Sequence, residues 1–355
     1  MVIIGHIIAT IVITISSLLF VGSRDTFEVH QKPDSQIVKA IYLTAYTAGN
    51  KIRRSELIDL INKTELNAVV IDLKDYSGRI FFDTRLKLAS DIKSTEVRIP
   101  DLRQWLLELH EQDIYTIGRI VVFQDPYLAK QRPDIALQSV DGGVWRDHKG
   151  LAWVDPTQLL VWKYNLDLAE EAAELGFDEI NFDYVRFPSD GNIRKIAFAN
   201  LDENGGKNSV MNRFYRYVDF RMRFLPVYTS ADLFGMVLWR SDGLNIGQRL
   251  QDAAQNFDYV APMVYPSHYP PGFEGFSNPA EHPYEIVYRS LVRAGDGLKS
   301  GRAELRPWIQ DFDLGADYTS AMIRQEIQAS YDVGAKSWYV WNAANRYTAA
   351  AFLVE

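Results

Sequence analysis

The chain has 355 residues, 47% hydrophobic and 24% charged, enough for two ordinary domains or for one large barrel with embellishments. A net charge of -8 and a pI near 5.4 exclude the basic footprint that nucleic-acid phosphates demand. With no cysteine, disulfides, thiol chemistry and thiolate metal sites are excluded too.

Val2 to Val21 is an apolar run rich in Ile, Leu and Val whose only ionisable side chain is His6. It has about the length needed to cross a bilayer. It lacks the basic start and small-residue cleavage site of a secretory signal peptide. Residues 1–22 are therefore expected to be a membrane anchor or signal segment, with an uncleaved anchor preferred. Residues 23–36, with Pro33 inside them, read as a short linker, and residues 37–355 as the main domain. This arrangement places the body of the protein outside the cytoplasm, tethered to the membrane by an N-terminal transmembrane helix.

From Ile37 onward, strand-like runs alternate with amphipathic helical runs, the signature of strand-helix units around a parallel sheet. The first strand is expected over Val38 to Thr47, followed by a helix that Ser55 can cap, and the second over Asn67 to Asp75. Arg79 to Phe82 fits a small extra hairpin. A helix over Asp101 to Gln112 leads to the third strand, Thr116 to Phe123. A long connection from Gln124 to Ala152, with Trp145 inside it, follows, and long loops in compact domains are usually functional or disordered, the Trp arguing for ordered. Asp155 as cap with Pro156 behind it predicts a helix whose buried stripe is Leu159, Trp162, Leu166, Ala169 and Ala173, ended by Gly176. The fourth strand is GFDEINFDYVRFP, with Ile180, Phe182 and Tyr184 on one side and Asn181, Asp183 and Val185 on the other. Further strands are expected over Pro226 to Gly235, Asp258 to Pro266, Glu304 to Phe312 and Ser337 to Ala343, separated by helices. Eight strands with helices between them predict an α/β fold, a single (β/α)8 TIM barrel.

In such barrels chemistry belongs at the C-terminal strand ends. The residues expected there are Asp72 and Lys74, Arg119, Asp183 and Arg186, Asp232, Tyr265, Trp308 and Gln310, and Trp341. Carboxylates, amides and aromatic faces suit a polyhydroxylated ligand, which takes charged hydrogen bonds on its hydroxyls and stacks its apolar face on a ring. Two carboxylates, one protonated and one ionised, are what glycoside hydrolysis requires, and Asp183 with Asp232 is the best pair. Arg186 beside Asp183 favours its ionised form, while the apolar neighbours of Asp232 suit a raised-pKa acid. Asp75 and Asp311 are the substitutes for the second carboxylate. No Gly-x-Ser-x-Gly elbow, paired metal-ligand spacing or phosphate-binding glycine loop is present, so no metal and no cofactor is expected.

The segments Leu57 to Gly78, Arg119 to Ala129, Trp153 to Asn165, Gly176 to Gly191 and Asp258 to Pro266 resemble a family of glycoside-hydrolase-type barrels from bacterial exported or anchored proteins, long catalogued as a domain of unknown function. The resemblance implies a barrel related to amylase-like and other retaining glycosidases. The chain is also distantly similar to family 18 chitinase barrels at Asp178, Asp183, Met263, Tyr265 and Trp341. Val185 stands where those enzymes carry their catalytic Glu, and Asn181 replaces their middle Asp, so Asp183 needs an acid from another strand. The expected function is hydrolysis of glycosidic bonds in a polysaccharide or cell-envelope glycan by two carboxylates, with no nucleic-acid partner. The alternative is a catalytically silent barrel that binds glycan or scaffolds envelope proteins.

Overall fold

A computed structural model describes residues 32, 36–198, 200–299 and 301–354. The anchor expected over residues 1–22 lies outside the described residues, among which no helix is long and apolar enough to cross a membrane. The barrel strands are β1 (Lys39–Leu43), β2 (Ala68–Lys74), β3 (Tyr115–Val121), β4 (Glu179–Asp183), β5 (Tyr228–Phe234), β6 (Tyr259–Met263), β7 (Glu304–Leu305 and Trp308–Gln310) and β8 (Trp338–Trp341). Each pairs in parallel with the next, and β8 pairs back onto β1 with Lys39 opposite Trp338, which closes the sheet. Among the described residues, closure leaves the barrel sheet without a free edge. Pro307, which has no N–H to give, splits β7 into its two pieces.

Among the described residues one main helix stands in each link between successive strands, beside shorter helical turns: α1 (Lys51–Asn62), α2 (Leu102–His110), α3 (Leu159–Leu175), α4 (Gly206–Met222), α5 (Leu250–Asn256), α6 (Pro283–Leu298) and α7 (Ser320–Asp332). After β8 the described residues hold only a single 3-10 turn, Ala349–Ala351. The layer between helices and sheet holds residues such as Ile71, Leu106, Leu166, Phe182 and Leu233, all essentially inaccessible. A second apolar set, including Val70, Ile117, Ala261, Trp308 and Tyr339, fills the barrel interior. The barrel is thus a packed core and its mouth is where a ligand can enter.

Local details differ from the sequence expectation. Asn50, not Ser55, caps α1 by accepting from the Arg53 N–H. Asp155 accepts from the Thr157 N–H and hydroxyl in the turn ahead of α3, and Leu159 at the helix start is exposed, while Trp162, Leu166, Ala169 and Ala173 are buried as expected. Gly176 ends α3 at φ 113°, a left-handed conformation that glycine adopts without steric cost.

Two backbone irregularities decide where functional side chains point. In β2, Asp72 sits opposite Arg119 and Lys74 opposite Ile120, so two steps on one strand match one on the other. This bulge reverses the alternation, leaving Asp72 inside the barrel and carrying Lys74 outward. After β4, Tyr184 takes φ 51°. The strand's alternation stops there, Val185 packs into the outer layer, and Arg186 is turned back over the mouth.

Candidate active site

The polar centre of the barrel mouth is Arg119, which β3 places in the interior with only 4% of its surface exposed. Its Nη1 donates to Asp72 Oδ1 at 2.5 Å and its Nη2 donates to Asp183 Oδ2, while Nε lies 4.0 Å from Asp232 Oδ2. Three strands therefore present three carboxylates to one guanidinium. Burial pulls the pKa of Arg119 down, but Asp72 and then Asp183 outweigh burial and hold it well above the usual arginine value. The Tyr42 hydroxyl donates to Asp72 Oδ2, and the Tyr42 ring stacks on Trp341 with centroids 4.1 Å apart.

Asp183 and Asp232 sit in different environments although both are buried. Asp183 accepts from Arg119 and, through Oδ1, from the Tyr184 N–H at 2.6 Å. Asp232 Oδ1 accepts from Asn181 Nδ2 at 2.8 Å and from Trp308 Nε1 at 2.7 Å. Burial first, and then the charge of Asp183, push the Asp232 carboxyl well above the ordinary carboxylate range. With Oδ1 already taken by two donors, the proton of the neutral acid belongs on Oδ2. Asp72 is raised as well, to about 6, because burial outweighs the opposing Arg119 and Tyr42.

Asp183, Asp232 and Arg119 face a pocket of about 390 Å³ at the C-terminal mouth of the barrel, walled by Trp308, Trp341, Tyr265 and Phe234 and rimmed by Arg186. Gln248, in the loop after β5, accepts from the Phe234 N–H at 3.0 Å and donates to the Asp232 carbonyl at 3.1 Å, and its Nε2 reaches the Val185 carbonyl, just after β4, at 3.5 Å.

The family described as "Putative glycosyl hydrolase domain" matches residues 40–347. The chain belongs to that family. Among solved structures, a hypothetical protein from Ruminiclostridium thermocellum is 36% identical over 54% of this chain and 96% of its own, with a TM-score of 0.50. The PgaB (BpsB) glycoside hydrolase domain from Bordetella bronchiseptica is 15% identical over 90% of this chain and all of its own, with a TM-score of 0.65. The α-galactosidase TtGalA from Thermus thermophilus is 13% identical over 88% of this chain and 62% of its own, with a TM-score of 0.54. The last two likenesses establish a shared barrel fold. No curated protein matches the chain.

Of the residues expected at the site, Arg119, Asp183, Arg186, Asp232, Tyr265, Trp308 and Trp341 all line the pocket. Asp72 lies behind Arg119 and meets the pocket through it. Lys74 does not reach the mouth: the β2 bulge buries it completely outside the sheet, where Nζ donates to the Val121 carbonyl at 2.7 Å and faces Asp125 at 2.8 Å. Gln310 is also fully buried, clasping Ser267 and the Phe312 carbonyl to hold the β6 loop. The two substitute carboxylates organise turns, Asp75 around Ser77 and Asp311 around Thr348. Asp178 accepts from Thr116 ahead of β4, at the opposite end of the barrel. Arg119, rather than Arg186, is the partner of Asp183. Asn181, expected only as a departure from the chitinase pattern, proves to be a donor to Asp232, and Tyr42 was not anticipated at all.

Proposed function

We propose that this protein is a glycosidase acting on a polysaccharide or cell-envelope glycan, with Asp183 as nucleophile or base and Asp232 as general acid. The observation that carries the reading is the pair of differently poised carboxylates facing one aromatic-walled pocket. Asp183, held in an ion pair by Arg119, supplies negative charge to an oxocarbenium-like centre. Asp232, kept protonated by burial and by Asp183, delivers its Oδ2 proton to the departing glycosidic oxygen. Trp341 and Tyr265 offer ring faces for the apolar side of a sugar. Family membership and the glycoside-hydrolase barrels among the structural neighbours support the same reaction class.

The apolar run over residues 2–21 supports an extracytoplasmic, membrane-anchored location, in keeping with an envelope glycan as substrate. The test is release of reducing sugar from a panel of envelope and plant polysaccharides by the purified full-length chain, beside Asp183→Asn. A fall in kcat of about 10³-fold or more in the variant is expected for a group acting directly on the reacting centre. Undiminished hydrolysis by Asp183→Asn would remove the assignment, and no hydrolysis of any glycan would favour a binding barrel.

A further inference from the structure

Arg186 is a buried cation whose charge is not matched by an ion pair. It is 6% exposed, yet among the described residues no carboxylate lies within 4.0 Å of it. Its Nη1 donates to the Phe187 carbonyl at 3.1 Å and to Ser189 Oγ at 3.3 Å. The Nε and Nη2 edge has no protein hydrogen-bond acceptor among the described residues, and the side chain borders the same pocket as Asp183 and Asp232. Three rings hold the guanidinium, with centroids 5.0 Å away for Trp153, 4.9 Å for Tyr184 and 4.4 Å for Phe234.

The nearby loop carboxylates are committed elsewhere. Asp147 accepts from the Trp153 indole at 3.1 Å and from the Lys149 and Leu151 N–H groups, while Asp190 accepts from the His148 N–H. Burial of an arginine without a counter-ion costs several kcal/mol; ring faces offset part of this, at about 0.5–2 kcal/mol each, but they leave the Nε and Nη2 hydrogens without an acceptor. A ligand anion fits this imbalance, and the open Nε/Nη2 edge is the one that binds a carboxylate through two parallel hydrogen bonds. The other pocket cation, Arg119, is already spent on Asp72 and Asp183. The net charge of -8 gives an acidic glycan no general attraction to this surface, so selection for it must be local.

Resting on the glycosidase reading, we infer that the sugar held at the cleavage site is a uronic acid, with Arg186 receiving its carboxylate. The glycan is then an acidic polysaccharide. Arg186 acts as the specificity residue, set one kinked turn beyond Asp183.

Calorimetric titration of the full-length chain with trigalacturonate and with a glucuronate-containing trimer, each beside its carboxyl-reduced neutral counterpart, tests this directly. At least one acidic trimer should bind more tightly than its neutral counterpart by about 10-fold to 100-fold, the worth of a charged hydrogen-bond pair. Arg186→Met should bind both forms alike, and Arg186→Lys should keep part of the preference, which covers a Met variant that fails to fold. Equal binding of acidic and neutral trimers by the parent chain, binding of neither acidic trimer, or an undiminished preference in folded Arg186→Met would overturn the inference. Hydrolysis confined to neutral glycans would refute it while leaving the glycosidase reading standing. Selective acidic binding without cleavage would do the reverse.

Discussion

Replacing Arg119 by methionine tests the electrostatic logic of the mouth. The substitution keeps most of the apolar volume but removes the charge that meets Asp72 at 2.5 Å, Asp183 in direct contact and Asp232 at 4.0 Å. At an effective dielectric of about 20, one unit pair at 4 Å is worth about 4 kcal/mol. Set against the several kcal/mol spent on burying the guanidinium, the net loss should fall in the range of about 3–5 kcal/mol seen when one partner of a buried pair is removed. The loss must also depend on pH. Asp72 and Asp232 are raised by burial and held down by Arg119, so without it they rise further, and the cost of their charge is fully present above the raised values and fades as the pH falls and they protonate. Already in the parent protein Asp72 is raised to about 6, so its share of the deficit should shrink as the pH falls toward about 6, below which both proteins carry it protonated. Urea unfolding of both proteins at pH 7.5, 6 and 4.5 measures it. A deficit constant across that range, or below about 1 kcal/mol at pH 7.5, would refute the reasoning.

Three further outcomes follow from the same contacts. Asp72 must be ionised to hold Arg119, so kcat/KM should fall as the pH drops below about 6, and Asp72→Asn should abolish that limb while lowering the plateau. Trp308→Phe removes an N–H that favours ionised Asp232, so its pKa should rise further and the alkaline limb of the profile should move to higher pH. At the far end of the barrel, Arg306 pairs with Glu179, which also accepts from the Tyr339 hydroxyl at 2.5 Å. Arg306→Met should cost about 3–5 kcal/mol in urea unfolding, and adding Glu179→Gln should recover much of it, because the buried charge left behind is the expense.

The eight strands were legible because each is a short apolar run set off by a helix of different period, and a closed parallel barrel is what that order builds. Asp183 and Asp232 could be paired from chain order alone, since adjacent strands in such a barrel are neighbours in space. What sequence could not carry was side-chain direction past an irregularity. Strict alternation sends Asp72 and Lys74 to the same side, and only the register against Arg119 and Ile120 shows the bulge that separates them. Likewise Arg186 looked like the partner of Asp183 because it is three residues away. The left-handed Tyr184 turns Arg186 aside, and the charge on Asp183 is met from another strand. Partner choice among buried charges depends on neighbours distant in sequence, and proximity along the chain is a poor guide to it.

The kink at Tyr184 also bears on how this site can change over time. It puts Asp183, the proposed reacting carboxylate, on the strand and Arg186, the proposed recognition cation, in the first residues of a loop, within one short stretch of chain. Drift in the loop beyond Arg186 can then exchange one sugar preference for another without disturbing Asp183, which the sheet and Arg119 hold. Chains of this family that keep the strand and replace the arginine should share the reaction and differ in the glycan they accept, so the residue at this position offers a simple criterion for sorting them by substrate.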